Sequence, residues 1–449
     1  MKTFKLILNS CLMLFLWATI QPLSAQTKPE RCGTMPMYEQ HLKQRWRKQG
    51  LQSFENWMAH QLSQRSTQRT HSTVYTIPVI VHIVHDGDEV GFNNNIPADQ
   101  VLSQMIVLNQ DFRRTNPDKT GTPTVFADVA ADTEIQFELA VLDTNDKKLE
   151  EPGIHRYEDK SRSSWSMNDI EQILKPATSW DPSKYLNIWV VKFSSSGTLG
   201  YAQFPEQSTL TGITVDPTTD KPETDGVAIN TRFFGSNHTS AGSSFDLANT
   251  FDRGRTVTHE VGHWLGLRHI WGDGDCSADD FCADTPNAGK NNDGLNDCSE
   301  VINSCTDDSF DDMYQNYMDY TGDKCMNLFT KDQKARMRTV LENSPRRKEV
   351  AQNARFVLST DQSQVLANSS QLFPNPANSN TQLRLQNTLT GEVDIIITDL
   401  SGKVLQKAVS QKNGQNWSYQ IASQVLPKGV YIVTLRMKDG SFSKRLVKQ

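Results

Sequence analysis

The stretch HEVGHWLGLRH, residues 259–269, decides how the chain is to be read. It sets His259 and His263 four residues apart, with Glu260 beside the first and His269 six residues beyond the second. Residues four apart in a helix share a face, so two imidazoles can meet one ion while Glu260 stays adjacent. A catalytic zinc takes three protein ligands and keeps a fourth position for water. His269 can be the third only if the helix stops and the chain doubles back. Gly266 permits that stop through the left-handed conformation with which many helices end. Zinc on three neutral imidazoles lowers the pKa of a bound water to about 7 and polarises a peptide carbonyl, which makes Glu260 the natural general base. In the competing reading the histidines are core residues and Glu260 pairs with Arg255 or Arg268, which leaves such a water without a base.

Around this motif, residues 73–345 read as one domain. VYTIPVIVHIVH at 74–85 is β-branched and apolar, as a buried strand requires. ADQVLSQMIVLNQDFRR then fits an amphipathic helix with apolar positions Val101, Leu102, Met105, Ile106, Leu108 and Phe112. Further strands are expected at TEIQFELAVL, at YLNIWVVKF and around DGVAIN, and a last helix, TKDQKARMRTVLEN, ends near Asn343. The order predicts an α/β (α+β) domain, a mixed twisted sheet packed on helices. The polar runs SPRRKEVAQNAR and STDQSQVLANSSQ suggest a linker over 346–370. Residues 371–449 alternate short β-rich runs with Ser-Gly, Asn-Gly, Lys-Gly and Asp-Gly turns and hold no Cys or His, as in a small all-β Ig-like sandwich.

The N-terminus reads as a signal peptide over 1–25: Lys2 and Lys5 precede LILNSCLMLFLWATI, and Leu23-Ser24-Ala25 offers a cleavage site. Asn9 and Ser10 interrupt the apolar run, and no later segment is apolar enough to span a bilayer. Residues 26–72 are basic, Gln-rich and helix-prone, which suits a solvated helical tail or a removable pro-segment. The polar stretch SQRSTQRTHS, with Arg65 and Arg69, is a natural nicking site. A length of 449 residues implies several domains, and a net charge of −6 gives no nucleic-acid footprint.

Seven cysteines are present; Cys11 leaves with the signal peptide, Cys32 stands alone, and Cys276, Cys282, Cys298, Cys305 and Cys325 cluster. No CxxC pair occurs, so in an exported chain disulfides with an odd thiol are preferred to a zinc ribbon. Residues 273–323 hold fourteen Asp or Glu and only Lys290 as a lysine, and such hard oxygen ligands on a cross-linked loop suit calcium.

HEVGHWLGLRH resembles the extended zinc motif of the metzincin metalloproteases, and QNYMDYTGDKCMNLFTKDQ resembles the region of their methionine turn. With DTPNA at 284–288 and NYMDY followed by CMN, residues 74–343 are similar to the pappalysin family of that clan. The resemblance implies a secreted endopeptidase with one zinc on His259, His263 and His269 and Glu260 as base. Met318 would form an apolar floor beneath the histidines and Tyr320 would donate to the oxyanion. It also implies calcium at ADDFCADTP through Asp280, Asp284 and Thr285, cleavage near Lys or Arg, and bridges Cys276–Cys305 and Cys298–Cys325, with Cys282 outside the pattern. Cys32, in RCGT, is similar to a cysteine switch, a thiolate in the water's position; the alternative is a Cys32–Cys282 pair.

LFPNPANS, DLSGKVL and LPKGVYIVTLRMKDGSFSKRLVKQ resemble the sorting domain of the type IX secretion system of Bacteroidetes. That implies a Gram-negative bacterium, export by the Sec route and then the type IX machinery, and release or surface attachment. The partners expected are protein or peptide substrates and the secretion machinery. Two alternatives stand beside the protease: a non-catalytic surface adhesin or binding protein with a structural zinc, and a metal-dependent amidase acting on cell-wall peptides.

Overall fold

The computed structural model describes residues 31–35, 44–65, 74–145, 147–195, 197–205, 221–241, 244–306, 310–357, 366, 369–387, 389–400, 402–414, 416–437 and 440–449. The signal peptide, Arg69 and the nicking stretch beyond residue 65 lie outside the described residues.

The first core forms around β1 (Tyr75–His85), in which Ile77 to Val84 are buried without a break. Its first half pairs in parallel with β2 (Ile135–Leu139) and its second half with β3 (Ile154–Glu158). On its other edge it pairs in parallel with β4 (Leu186–Val191), and β4 with β6 (Val227–Asn230). β5 (Gly200–Ala202) runs antiparallel to β6 and ends the sheet. Parallel strands covered on both faces demand near-continuous apolar runs, which is why β1, β4 and β6 stand out in the sequence. β3 and β5 do not stand out: one carries the polar residues His155, Arg156 and Glu158, and the other has three residues.

The helix Ala98–Phe112 buries Val101, Met105, Leu108 and Phe112 as expected, but Leu102 is 44% exposed and Ser103 and Gln104 face inward. The polar pair is turned in because it carries hydrogen bonds. Ser103 accepts from the Ser236 amide, and Gln104 accepts from the Gly235 amide and donates to the Gly254 carbonyl. Gly254 opens the helix Arg255–Trp264, so these bonds fix where the histidine motif starts.

The expected linker is corrected at its beginning. Residues Arg347–Val357 form a helix, Val350 joins the first core, and the Arg347 guanidinium lies 3.9 Å over Trp264 while pairing with buried Asp225 at 2.7 Å. Two of the charges that made this segment look solvated, Arg346 and Arg347, are buried on Asp225, while Lys348 and Glu349 stay exposed. The expected helix after the motif is Lys331–Asn343, started by a capping box between Thr330 and Gln333.

The C-terminal region has its own core. The antiparallel sheet β10–β9–β12–β13 (Val404–Lys412, Gly391–Thr398, Gly429–Met437, Gly440–Lys448) accompanies a second, β11–β8–β7 (Asn416–Ile421, Thr381–Gln386, Ser370–Phe373). Burial alternates along β8, β9 and β12, one face in and one out, as the sandwich reading requires. Among the described residues no helix is long and apolar enough to cross a membrane.

Candidate active site

The helix Arg255–Trp264 is anchored at its first residue. The Arg255 guanidinium pairs with Asp111 at 3.2 Å and with Asp118 at 2.8 Å. Asp111 also accepts from Thr258 and from the Tyr317 hydroxyl, which ties the helix to the segment below it. The helix ends at Gly266, with φ +87°. The Leu267 amide donates to Gly262 and the Gly266 amide to His263, a Schellman arrangement that reverses the chain and returns His269 to the first two histidines. Gly262 is needed for a different reason: a Cβ there would lie 2.5 Å from Met318 Sδ, so the Met318 side chain packs directly against the helix backbone.

The three imidazoles converge through their Nε2 atoms, separated by 3.1, 3.1 and 3.2 Å. Each Nδ1 faces an oxygen acceptor: His259 the Tyr317 carbonyl at 2.7 Å, His263 the Leu267 carbonyl at 2.8 Å, and His269 the Asp273 carboxylate. Protons on the Nδ1 atoms leave three Nε2 lone pairs aimed at one point, an arrangement that repels itself unless a cation lies between. Ligand bonds of about 2.0–2.1 Å at tetrahedral angles put the nitrogens of a zinc site at about this spacing. The residues therefore fit zinc. Cys32 Sγ lies within 4.8 Å of all three nitrogens, and these four side chains are the one such group among the described residues. Asp273 orients His269, the carboxylate–histidine pairing of many zinc sites, and was missed in the sequence. Burial opposes its charge, but the His269 imidazole holds its carboxyl below the usual range.

Glu260 is buried beside this centre, and burial pushes its carboxyl up to about 7 against hydrogen bonds from Thr34 and Cys32. The Thr34 hydroxyl donates to it at 2.8 Å and the Cys32 thiol contacts it at 3.4 Å. Neither neighbouring arginine pairs with it: Arg255 is held by the two aspartates and Arg268 by Glu55. The Tyr320 ring stands edge-on to His269, 4.9 Å between centroids, and to Trp271.

Residues 31–34 enter as a short added strand. Cys32 bridges Gly200 in parallel, the Gly33 amide donates to Gly200, the Leu199 amide donates to Arg31, and the Ala202 amide donates to the Thr34 hydroxyl. Arg31 is buried in a pocket that the sequence did not disclose. Its guanidinium donates to the Thr321 carbonyl at 2.7 Å, lies 4.2 Å from the Phe251 ring, and faces the buried carboxylate of Asp323 at 3.9 Å. Burial pushes the Asp323 carboxyl up, and Arg31 and Arg255 work against that.

In the acidic loop the disulfides are Cys276–Cys305 and Cys298–Cys325. Cys282 is buried and free, as is Cys32, so the alternative Cys32–Cys282 pair is not formed. Asp280 is buried, accepting from the Cys282 amide and the Thr285 hydroxyl. Asp284 accepts from the Asp332 amide through Oδ2, while its Oδ1 is buried without a hydrogen-bond partner. Burial pushes Asp280 up to about 7 and raises Asp284 as well.

Comparison with known proteins agrees with this geometry. The family described as "Pregnancy-associated plasma protein-A" matches residues 169–342, and the secretion system C-terminal sorting domain matches 371–449. A Tannerella forsythia promirolysin mutant is 36% identical, with a TM-score of 0.60, over 74% of this chain and 100% of that one. The chain belongs to the pappalysin family of metalloproteases. Mature mirolysin of the same organism, solved with a cleaved peptide, is 38% identical with a TM-score of 0.54, over 65% of this chain and 100% of that one. An extracellular metalloprotease of Arthroderma benhamiae is 28% identical over 72% of this chain and 87% of its own length. This pappalysin is a zinc metalloendopeptidase, secreted or displayed at the cell surface, and the adhesin alternative is not favoured.

Proposed function

We propose that the chain is the latent form of a protein-cleaving enzyme, in which Glu260 is the general base, Cys32 the lock and Asp323 the reader of a basic side chain. The observation that carries this reading is the meeting of Cys32, His259, His263 and His269 beside Glu260. Zinc held by the three histidines would supply a water of lowered pKa and a polarised scissile carbonyl. Glu260, buried beside the three histidines, takes the water's proton and passes it to the leaving amine. Tyr320, beside His269, donates its hydroxyl to the oxyanion, and Met318 is the apolar floor.

The pro-segment blocks each of these functions at once. Cys32 stands where the water would be, Thr34 holds the base, and Arg31 fills the basic-residue pocket. Arg31 thus behaves as a substrate side chain bound by a buried carboxylate, a backbone carbonyl and an aromatic face, which supports preference for Lys or Arg at the scissile bond. The parts we assign are a signal peptide at 1–25, a pro-segment at 26–72, a catalytic domain that begins at 73 and takes in the helix Arg347–Val357, a connecting stretch from there to 370 and a sorting domain at 371–449. Self-cleavage near Arg65 or Arg69 would sever the pro-segment from the catalytic domain.

A Glu260→Ala chain should fold, hold one zinc and fail to cleave casein; full activity in that variant refutes the mechanism. For the 280–285 loop we propose calcium, on the support of the buried Asp280 carboxylate, the half-buried Asp284 and the unpartnered Asp284 Oδ1. Chelation should lower the melting temperature, and calcium without zinc should restore part of it. If zinc alone restores all of it, the calcium assignment is wrong.

A further inference from the structure

The helix Gln44–Arg65 is polar over most of its surface, yet one face is fully engaged. Phe54, Trp57 and Met58 are buried, in one cluster with Val340 of the helix Lys331–Asn343. Positions i, i+3 and i+4 share a helix face, so these three side chains form one apolar ridge. Within the ridge sits Glu55, 5% exposed. Its carboxylate accepts from Arg268 at 2.8 Å and from both terminal nitrogens of Arg336 at 2.7 and 3.1 Å. The two cations, Phe281 and the Gly266 turn make a preformed seat. Arg336 donates to the Gly266 carbonyl, both guanidiniums lie over the Phe281 ring, and the Phe54 ring packs against Gly266.

None of these contacts involves residues 31–34, so the pro-segment is held at two separate places. A cut after residue 65 severs the chain but leaves both attachments whole. Once the helix is gone, the Glu55 carboxylate shared by Arg268 and Arg336 is lost and the apolar floor at Val340 is uncovered. The open seat then sets two neighbouring guanidiniums beside exposed apolar surface, so it favours a ligand that brings both a carboxylate and apolar side chains.

We propose that the mature enzyme carries at this seat a second binding site, apart from the catalytic cleft, for an amphipathic helix that presents a carboxylate among apolar side chains in the pattern Phe-Glu-Xaa-Trp-Met. The inference rests on the reading of residues 26–72 as removable. Its helix is the first ligand of that site, retained non-covalently after the linking chain is cut.

The test uses self-processed enzyme stripped of the cut helix by gel filtration at high salt, its absence verified by mass spectrometry, and a fluorescent synthetic peptide of residues 49–64, which contains Phe54 to Met58 and no Lys or Arg. N-terminal sequencing first establishes where the mature chain begins, and mass spectrometry verifies that the peptide survives. Expected is saturable binding with a gain of helical circular dichroism, weakened at least tenfold by Glu55→Gln or Trp57→Ala in the peptide, and unchanged by a hydroxamate filling the cleft. Because the substitutions are in the peptide, folding of the enzyme is not at issue. No binding to a chain that begins beyond residue 65, or equal binding of the Glu55→Gln peptide, overturns the site while leaving the protease reading intact. A mature chain that still contains residues 44–65 overturns the removable-segment reading and the site together.

Discussion

Gly262, Glu260 and Asp323 show what single residues contribute. Met318 Sδ occupies the space a Cβ on Gly262 would need, so Gly262→Ala should destabilise the domain by about 1–3 kcal/mol through overpacking and should loosen zinc. Thermal melts and metal content read both effects. Asp323 faces Arg31 as a buried ion pair at 3.9 Å, and close charge pairs couple by about 1.5 kcal/mol or more. Asp323→Asn should therefore lower kcat/KM for peptides with Arg at the scissile bond by about tenfold to a hundredfold relative to a neutral peptide, read in a matched fluorogenic pair. An unchanged ratio would remove Asp323 from specificity. His259 and His263 were legible in the sequence because a helix converts a spacing of four into a shared face, Glu260 because it adjoins the first of them, and His269 because Gly266 marks where the helix can stop and reverse. Asp273, Thr34, Arg31 and Asp323 were not, since chain reversal or long-range contact brings them to the centre and no local period encodes that.

Elements set where these residues stand. The sheet strands that are buried on both faces were legible as apolar runs, whereas β3, β5 and the helix Arg347–Val357 were not, since short length or buried ion pairs hide them from hydrophobic patterning. Polar residues inside the sheet also leave a pH signature. On β1 the His82 ring is sealed against Trp189, with Nδ1 2.9 Å from His155 and Nε2 2.8 Å from the Asn187 side chain. Burial, with the His155 charge, pushes His82 down to about 3. A histidine depressed in the folded state is neutral there but protonates on unfolding. Its contribution is thus complete above about pH 6.5 and is lost as pH falls toward 3, at about 1.4 kcal/mol per pH unit. Buried acids such as Asp280 and Asp319 act in the opposite direction, so the difference between proteins is the informative quantity. Denaturant midpoints of the wild type should fall more steeply between pH 6.5 and 4 than those of His82→Gln; parallel slopes would contradict the assignment.

At the scale of the whole molecule, two cores divide the work. The C-terminal strands bury their own cluster, which includes Leu383, Ile395 and Leu435, in a stretch, residues 371–449, that holds no histidine or cysteine. A chain ending before residue 371 should cleave casein as well as the full protein after activation but should not reach the medium of a secreting cell; loss of activity on truncation would tie the sandwich to catalysis. The division into protease and sorting domain was legible because turn-rich strands without catalytic residues follow a chemistry-bearing motif. The depth to which the helix Gln44–Arg65 is built into the protease was not, because Phe54, Glu55, Trp57 and Met58 read as part of a polar helix until Arg268, Arg336 and Val340 close over them. The central claim is that Cys32 completes the site of His259, His263 and His269 in the latent protein. Zinc X-ray absorption on the unprocessed Glu260→Ala chain tests it most directly. The expected spectrum has three nitrogens at about 2.0 Å and one sulfur at about 2.3 Å, with the sulfur lost in Cys32→Ala. Zinc bound by nitrogen and oxygen alone in the unprocessed chain would contradict it.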